Sequence, residues 1–289
     1  MDFVDDFEEA MKLAYFDWKN YGKCSEADYY NDGIQLENDK FDDCFPHFFT
    51  GDSNSEFVMV QLNPRRARDG KTKDFNRYHI KFDEIIDENQ KNYFKSYDNY
   101  LQYFKEFGKR QYIETVGYKS TFDKNQLLFL LAFADFFGFK DGDSNTNLAF
   151  SIDKKLQLEL VPFGSPDFNT AKVLKTCDLS KPLERILGFI AKHERKYVIF
   201  CSGEFEEILK LNPRFVKQYL PIEPFKLVKK DNSLTKNNYK IIKLVLNVDG
   251  KKIKAVIAPG YASKSLKGNL RTQYGEKIKA AFDEMNKSV

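Results

Sequence analysis

The chain alternates short apolar runs with stretches whose apolar residues recur at helical spacing. Over residues 3–19, Phe3, Val4, Phe7, Met11, Leu13, Ala14 and Trp18 follow a roughly helical period and predict an N-terminal helix. The polar segment KCSEADYYNDG that follows reads as a loop, and the weakly apolar stretch 45–49 has no clear period. SEFVMVQLNP is the first clear strand, an apolar run over 57–62 closed by Asn63-Pro64, because proline cannot donate to a ladder. Residues 65–80 are basic and irregular. Residues 82–107 are charged and aromatic with helical spacing, and 124–137 predict a strongly apolar helix. DGDSNTN at 141–147 reads as a turn-rich loop.

The second strand is 156–161, closed by Pro162 and Gly164. A helix over 182–193 has proline near its start and basic residues in its last turn. YVIFC at 197–201 is the third strand, closed by Ser202-Gly203, and the helix over 204–211 opens with acids, as the helix dipole prefers. Residues 239–258 read as a hairpin turning at Asp249-Gly250, whose second strand ends at Pro259-Gly260. A C-terminal amphipathic helix covers 274–286.

Four short buried strands separated by helices predict an α/β fold. The expected form is a three-layer sandwich around a central four-stranded, mainly parallel sheet. It forms one domain over 1–289, with an N-terminal helical extension and a helical insertion at about 82–150. In such sheets ligands bind beyond the carboxyl ends of the strands. The candidate chemistry therefore sits in four loops: Asn63-Pro64-Arg65-Arg66, Pro162-Phe163-Gly164-Ser165, Ser202-Gly203-Glu204 and Pro259-Gly260-Tyr261-Ala262-Ser263.

Composition changes this picture only locally. The net charge of +3 does not announce a nucleic-acid binder. Two basic groups do stand beside the predicted loops. Arg65, Arg66, Arg68, Lys71 and Lys73 follow the first, and Lys264, Lys267 and Arg271 follow the last, giving phosphates a cationic rim. No apolar run is long enough to span a membrane, and the acidic N-terminus is unlike a secretory signal, so a cytoplasmic protein is expected. Cys24, Cys44, Cys177 and Cys201 include no C-x-x-C pair, and His47, His79 and His193 are scattered, so neither zinc nor another cofactor is expected. Cys201, inside an apolar run, is expected to be a buried thiol. No G-x-G-x-x-G or P-loop pattern occurs, which disfavours dinucleotide and NTP sites.

The four loops, in this order, resemble the uracil-DNA glycosylase superfamily over about residues 56–275. Members end their first strand in G-x-(D/N)-P or L-N-P, here Val60-Gln61-Leu62-Asn63-Pro64. LELVPFGSPDF is similar to the E-x-x-P-(F/Y)-x-S base-pocket loop of distant members. VIFCSGEFEEIL matches a third strand ending in a small residue before a helix, and VIAPGYASKS stands where relatives carry H-P-S or N-P-S. Two departures point to a divergent substrate: Ala258 replaces the usual His or Asn, and Gln61 replaces Gly. Some branches of the superfamily hold a four-cysteine iron–sulfur cluster, which the cysteine spacing here disfavours.

The resemblance implies a monofunctional glycosylase, acting as a monomer on single- or double-stranded DNA. It flips a uracil-like or modified pyrimidine, including the hypermodified bases of phage DNA, and leaves an abasic site in a repair or defence role. Asn63 takes the place of the water-positioning residue. Gln61, Pro64, Phe75, Phe163 and Ser165 form the base pocket. Arg65, Arg66, Pro259, Gly260, Tyr261, Ser263, Lys264, Lys267 and Arg271 meet the DNA, with Tyr261 the wedge candidate. Each residue also has an ordinary reading. Asn63 closes a strand before proline, either phenylalanine fills a core, Ser165 makes a turn, the lysines are solvated charge, and Tyr261 packs its own loop. A non-catalytic nucleic-acid binder on the same fold and a small-molecule or nucleotide hydrolase are the competing functions.

Overall fold

The computed structural model describes residues 3–22, 24–31, 46–62, 88–163, 177–261 and 263–287. The chain divides into two compact units, one of Met1–Phe49, Gln61–Lys105 and Leu158–Lys192, the other of Thr50–Val60, Glu106–Gln157 and His193–Val289. Its strands are β1 (Phe49–Gly51), β2 (Phe57–Gln61), β3 (Leu156–Glu159), β4 (Tyr197–Phe200), β5 (Val216–Pro221), β6 (Ile242–Val248) and β7 (Lys251–Ile257). Among the described residues, the α-helices of five residues or more are α1 (Phe7–Tyr21), α2 (Ala27–Asn31), α3 (Glu88–Tyr93), α4 (Tyr97–Lys105), α5 (Thr121–Leu130), α6 (Ser144–Asp153), α7 (Ser180–Ala191), α8 (Glu204–Lys210) and α9 (Asn269–Lys287).

All seven strands lie wholly or partly in the second unit and form one mixed sheet in the order β1-β3-β2-β4-β7-β6-β5. The four strands expected from the sequence are its consecutive members β3-β2-β4-β7. The pairs β2/β4 and β4/β7 are parallel, while β6 runs antiparallel to both β7 and β5. Two elements enlarge the expected four-stranded sheet. One is the predicted hairpin, in which Asp249 and Gly250 both take positive φ (49° and 79°), as a tight primed turn requires. The other is the pair of edge strands β1 and β5.

Side chains alternate across a strand, so Phe57 and Met59, Tyr197 and Ile199, and Val256 and Ala258 share one face. There they meet Phe129, Phe133 and Phe137 from the helical stretch beginning with α5, and Tyr274, Ile278 and Phe282 from α9. Val58, Val60, Val198, Phe200 and Ile257, on the alternate positions, are also fully buried, which explains why these strands read as continuous apolar runs.

In the first unit α1 is fixed at both ends. The Asp6 carboxylate accepts from the N–H groups of Glu8 and Glu9, and Gly22 closes the helix in the left-handed conformation at φ 69°. The buried stripe of α1 includes Phe7, whose ring stacks on Phe189 of α7 at 4.2 Å. Arg185 of α7 makes a two-pronged bond to the Glu26 carboxylate at 2.7 and 2.9 Å and reaches the carbonyl of Val4 at 3.2 Å.

Candidate functional site

Parallel register brings the carboxyl ends of β2, β4 and β7 level. Cys201 N–H donates to the carbonyl of Val60 at 2.9 Å, and Ala258 N–H to that of Phe200 at 2.8 Å, so each ladder runs one residue past its strand. The loops after β4 and β7 then meet: a Cβ placed on Gly203 would lie 3.4 Å from the Cβ of Pro259. The Ser202 hydroxyl donates to the Glu204 carboxylate at the start of α8.

The loop after β7 is tied down rather than free. Tyr261 N–H bonds the carbonyl of Ala258 at 3.0 Å, and Ser263 N–H bonds that of Gly260 at 2.9 Å. Gly260 N–H donates to the Tyr274 hydroxyl at 3.0 Å, and that hydroxyl donates to the carbonyl of Lys240 at 2.9 Å. The approach is so close that a Cβ on Gly260 would sit 2.9 Å from Tyr274 Cζ, which only glycine avoids. Arg271 Nη1 donates to the carbonyl of Tyr261 at 2.9 Å and Nη2 to that of Ser263 at 3.4 Å. Arg271 and Tyr274 are three residues apart on α9, so one helix face grips the loop.

Tyr261 points inward. Its ring meets Phe129 edge-on at 5.1 Å, and its hydroxyl accepts from Gln126 Nε2 at 3.2 Å. Gln126 also donates to Gln157 Oε1 at 2.9 Å. Burial pushes the Tyr261 hydroxyl well above the ordinary tyrosine range, so it stays neutral.

The remaining expected site residues fall into four groups. Gln61 ends β2 half-buried, and its amide nitrogen is buried without a hydrogen-bond partner among the described residues. Phe163 is fully buried in the first unit with its ring 5.9 Å from that of Tyr30, a core position and not an open stacking platform. Asn63, Pro64, Arg65, Arg66, Phe75 and Ser165 lie outside the described residues, as do Arg68, Lys71 and Lys73. In the last loop Pro259 is half-buried, Ser263 bonds Ser265 through their hydroxyls at 2.7 Å, and Lys264 and Lys267 are exposed, with no ion pair among the described residues.

Two of the expected DNA contacts are buried. Tyr261 and Arg271, expected at the DNA face, are 4% and 8% exposed. The tyrosine is held by ring packing and the arginine by two carbonyls of the loop it stabilises. The sequence reading does not anticipate Gln126, Gln157 and Tyr274. Gln157 carries a signal, since it interrupts the run LQLEL and a buried amide needs partners, while Gln126 stands just before the run LLFLL. Cys201 is a buried thiol, as its apolar run implied. Among the described residues, no three His, Cys, Asp or Glu side chains converge as metal ligands, and no helix is long and apolar enough to cross a membrane. The chain matches no protein-family model, and no curated protein matches its sequence.

Proposed function

We propose that the chain is a divergent relative of the uracil-DNA glycosylases that hydrolyses the N-glycosidic bond of a modified or uracil-like pyrimidine. One observation carries the reading. The four motif-bearing strands lie side by side in the order second, first, third, fourth, which puts the topological switch between first and third. The loops after the third and fourth strands also come close, since a Cβ on Gly203 would stand 3.4 Å from that of Pro259.

The chemistry needs no strong nucleophile. The bond between C1′ and the base nitrogen breaks with its electron pair going to the base, while a water oxygen bonds to C1′ and a water proton ends on the base. Asn63, two residues beyond the end of β2, orients that water through its carbonyl oxygen. The Gln61 amide, without a hydrogen-bond partner among the described residues, is a ready donor to a base oxygen where negative charge develops. Pro64, Phe75 and Ser165 complete the pocket, Arg65, Arg66, Lys264 and Lys267 meet phosphates, and the clamped Pro259-Gly260 turn forms the rim. In this reading the sandwich is three-layered and the enzyme works as a monomer without metal or cofactor.

Ala258 offers no side-chain donor, and this favours a second reading, a non-catalytic nucleic-acid binder on the same sheet. Oligonucleotides carrying uracil or modified pyrimidines, and phage DNA with hypermodified bases, distinguish the two. Alkali-labile sites after incubation support the enzyme, and tight binding without them supports the binder.

A further inference from the structure

The segment between β5 and β6 leaves the sheet as a narrow antiparallel finger. Its two bridges pair Phe225 with Tyr239 and Val228 with Leu234. Lys229 N–H and Ser233 carbonyl close the tip at 2.8 Å around Asn232, which has a positive φ of 62°. Alternation sorts the side chains. Leu227 and Thr235 are buried, while Val228 and Leu234, directly opposite each other and therefore on one face, are 43% and 56% exposed.

The finger is braced at its base and near its tip. Gln273 of α9 bonds both backbone groups of Val228, accepting from its N–H at 3.0 Å and donating to its carbonyl at 2.8 Å. Phe225 stacks on Tyr274, and the Tyr239 hydroxyl shares a hydrogen bond with Ser265 Oγ at 2.9 Å, in the loop that follows Pro259-Gly260. Lys226, Lys230 and Lys236 are exposed on this finger and Lys229 half-exposed. None of the four forms an ion pair among the described residues. Of the two acids in the segment, Glu223 stands at its base and Asp231 is bonded to the N–H and hydroxyl of Ser233.

We infer that residues 225–239 are a second nucleic-acid contact, a braced cationic finger whose lysines meet the phosphates of duplex DNA while Val228 and Leu234 press into its minor groove. Charge complementarity names the partner. Four lysines, of which only Lys229 has a nearby acid (Asp231), continue the exposed Lys264 and Lys267 of the hydrogen-bonded neighbouring loop. An exposed aliphatic pair flanked by lysines is the pattern of a minor-groove wedge. With Tyr261 buried, the finger supplies the apolar contact that the last loop lacks. The inference rests on the DNA-directed reading above.

The test is fluorescence anisotropy of a labelled DNA duplex, titrated with the full chain at several salt concentrations. Removing one lysine that meets a phosphate lowers the slope of log K against log salt by about 1, so Lys226, Lys229, Lys230 and Lys236 changed together to Ala lower it by about 3–4. Val228→Ser with Leu234→Ser, both exposed, weakens binding on the order of tenfold with the slope unchanged. Wild-type binding that is salt-dependent, falls in a Lys264→Ala, Lys267→Ala variant and is untouched by both finger variants overturns the finger alone. Absence of any duplex binding by the wild type overturns the DNA-directed reading with it. Binding by the finger to anionic vesicles but not to DNA also overturns the assignment.

Discussion

The Tyr274→Phe substitution tests how the last loop is held. The ring of Tyr274 is fully buried against Phe129, Phe225 and Tyr239, and phenylalanine keeps that packing. What disappears is one hydroxyl with two jobs, accepting from Gly260 N–H at 3.0 Å and donating to the Lys240 carbonyl at 2.9 Å. The carbonyl is half-buried and regains water, but the Gly260 N–H is buried and is left without a partner. The expected cost is about 2 kcal/mol, mostly that orphaned donor. Thermal unfolding should show it as a fall of roughly 3 °C. Gly260→Ala attacks the same contact from the other side, because its Cβ would stand 2.9 Å from Tyr274 Cζ, and overpacking of this kind costs about 1–3 kcal/mol. Each variant breaks the bond that the other also breaks, so the double variant should cost about 1 kcal/mol less than the sum of the singles. A Tyr274→Phe change within about 0.5 kcal/mol of wild type, or strict additivity, would refute this account of the clamp.

Further outcomes follow from other buried contacts. Glu26→Gln leaves the Arg185 guanidinium charged, buried and incompletely paired, and urea unfolding should show a loss of about 3–5 kcal/mol. Burial raises the Asp153 carboxyl to about 6, opposed only in part by the N–H groups of Gly108 and Lys109 that donate to it. Because the folded state then holds the proton more tightly than the unfolded one, stability should fall as pH rises from 3.8 to about 6, and Asp153→Asn should flatten that slope in a pH series of melts. Glu206 behaves oppositely. Burial would raise it, but hydrogen bonds from Lys210, Lys240 and Tyr219 outweigh that and hold it at about 2. Its contribution should be complete above pH 4.5 and lost as pH falls towards 2, and Glu206→Gln should remove that acid-sensitive component.

The parts of the fold that can be read from the sequence are those in which local pattern and tertiary burial agree. Strands β2, β3, β4 and the end of β7 are buried on both faces, so their apolar runs stand out, and Asp249-Gly250 specifies its turn by backbone conformation alone. Strand β5 escapes such a reading because as an edge strand it is mostly exposed and alternates nothing. Helix α6 is hidden by polar residues that look like a turn. They are in fact its N-cap, with the Asp143 carboxylate accepting from Thr146 N–H at 2.9 Å. After β7, the burial of Tyr261 and Arg271 is not legible in the sequence. A tyrosine and an arginine after a Pro-Gly turn look like surface groups. Their burial depends on Gln126 and on loop carbonyls, partners that only the folded backbone brings into reach.

The most direct test of the proposed base excision is the single-turnover rate of base release, measured at saturating enzyme on the most reactive substrate, for wild type, Asn63→Ala and Asn63→Asp. Asn63→Ala should bind DNA as wild type does and release base on the order of 10²-fold more slowly, about 2.7 kcal/mol of barrier. Asn63→Asp should retain part of the activity, since a carboxylate can hold the water and steady the sugar cation. Base release by Asn63→Ala at the wild-type rate, or no release by the wild type from any DNA tested, would contradict the account.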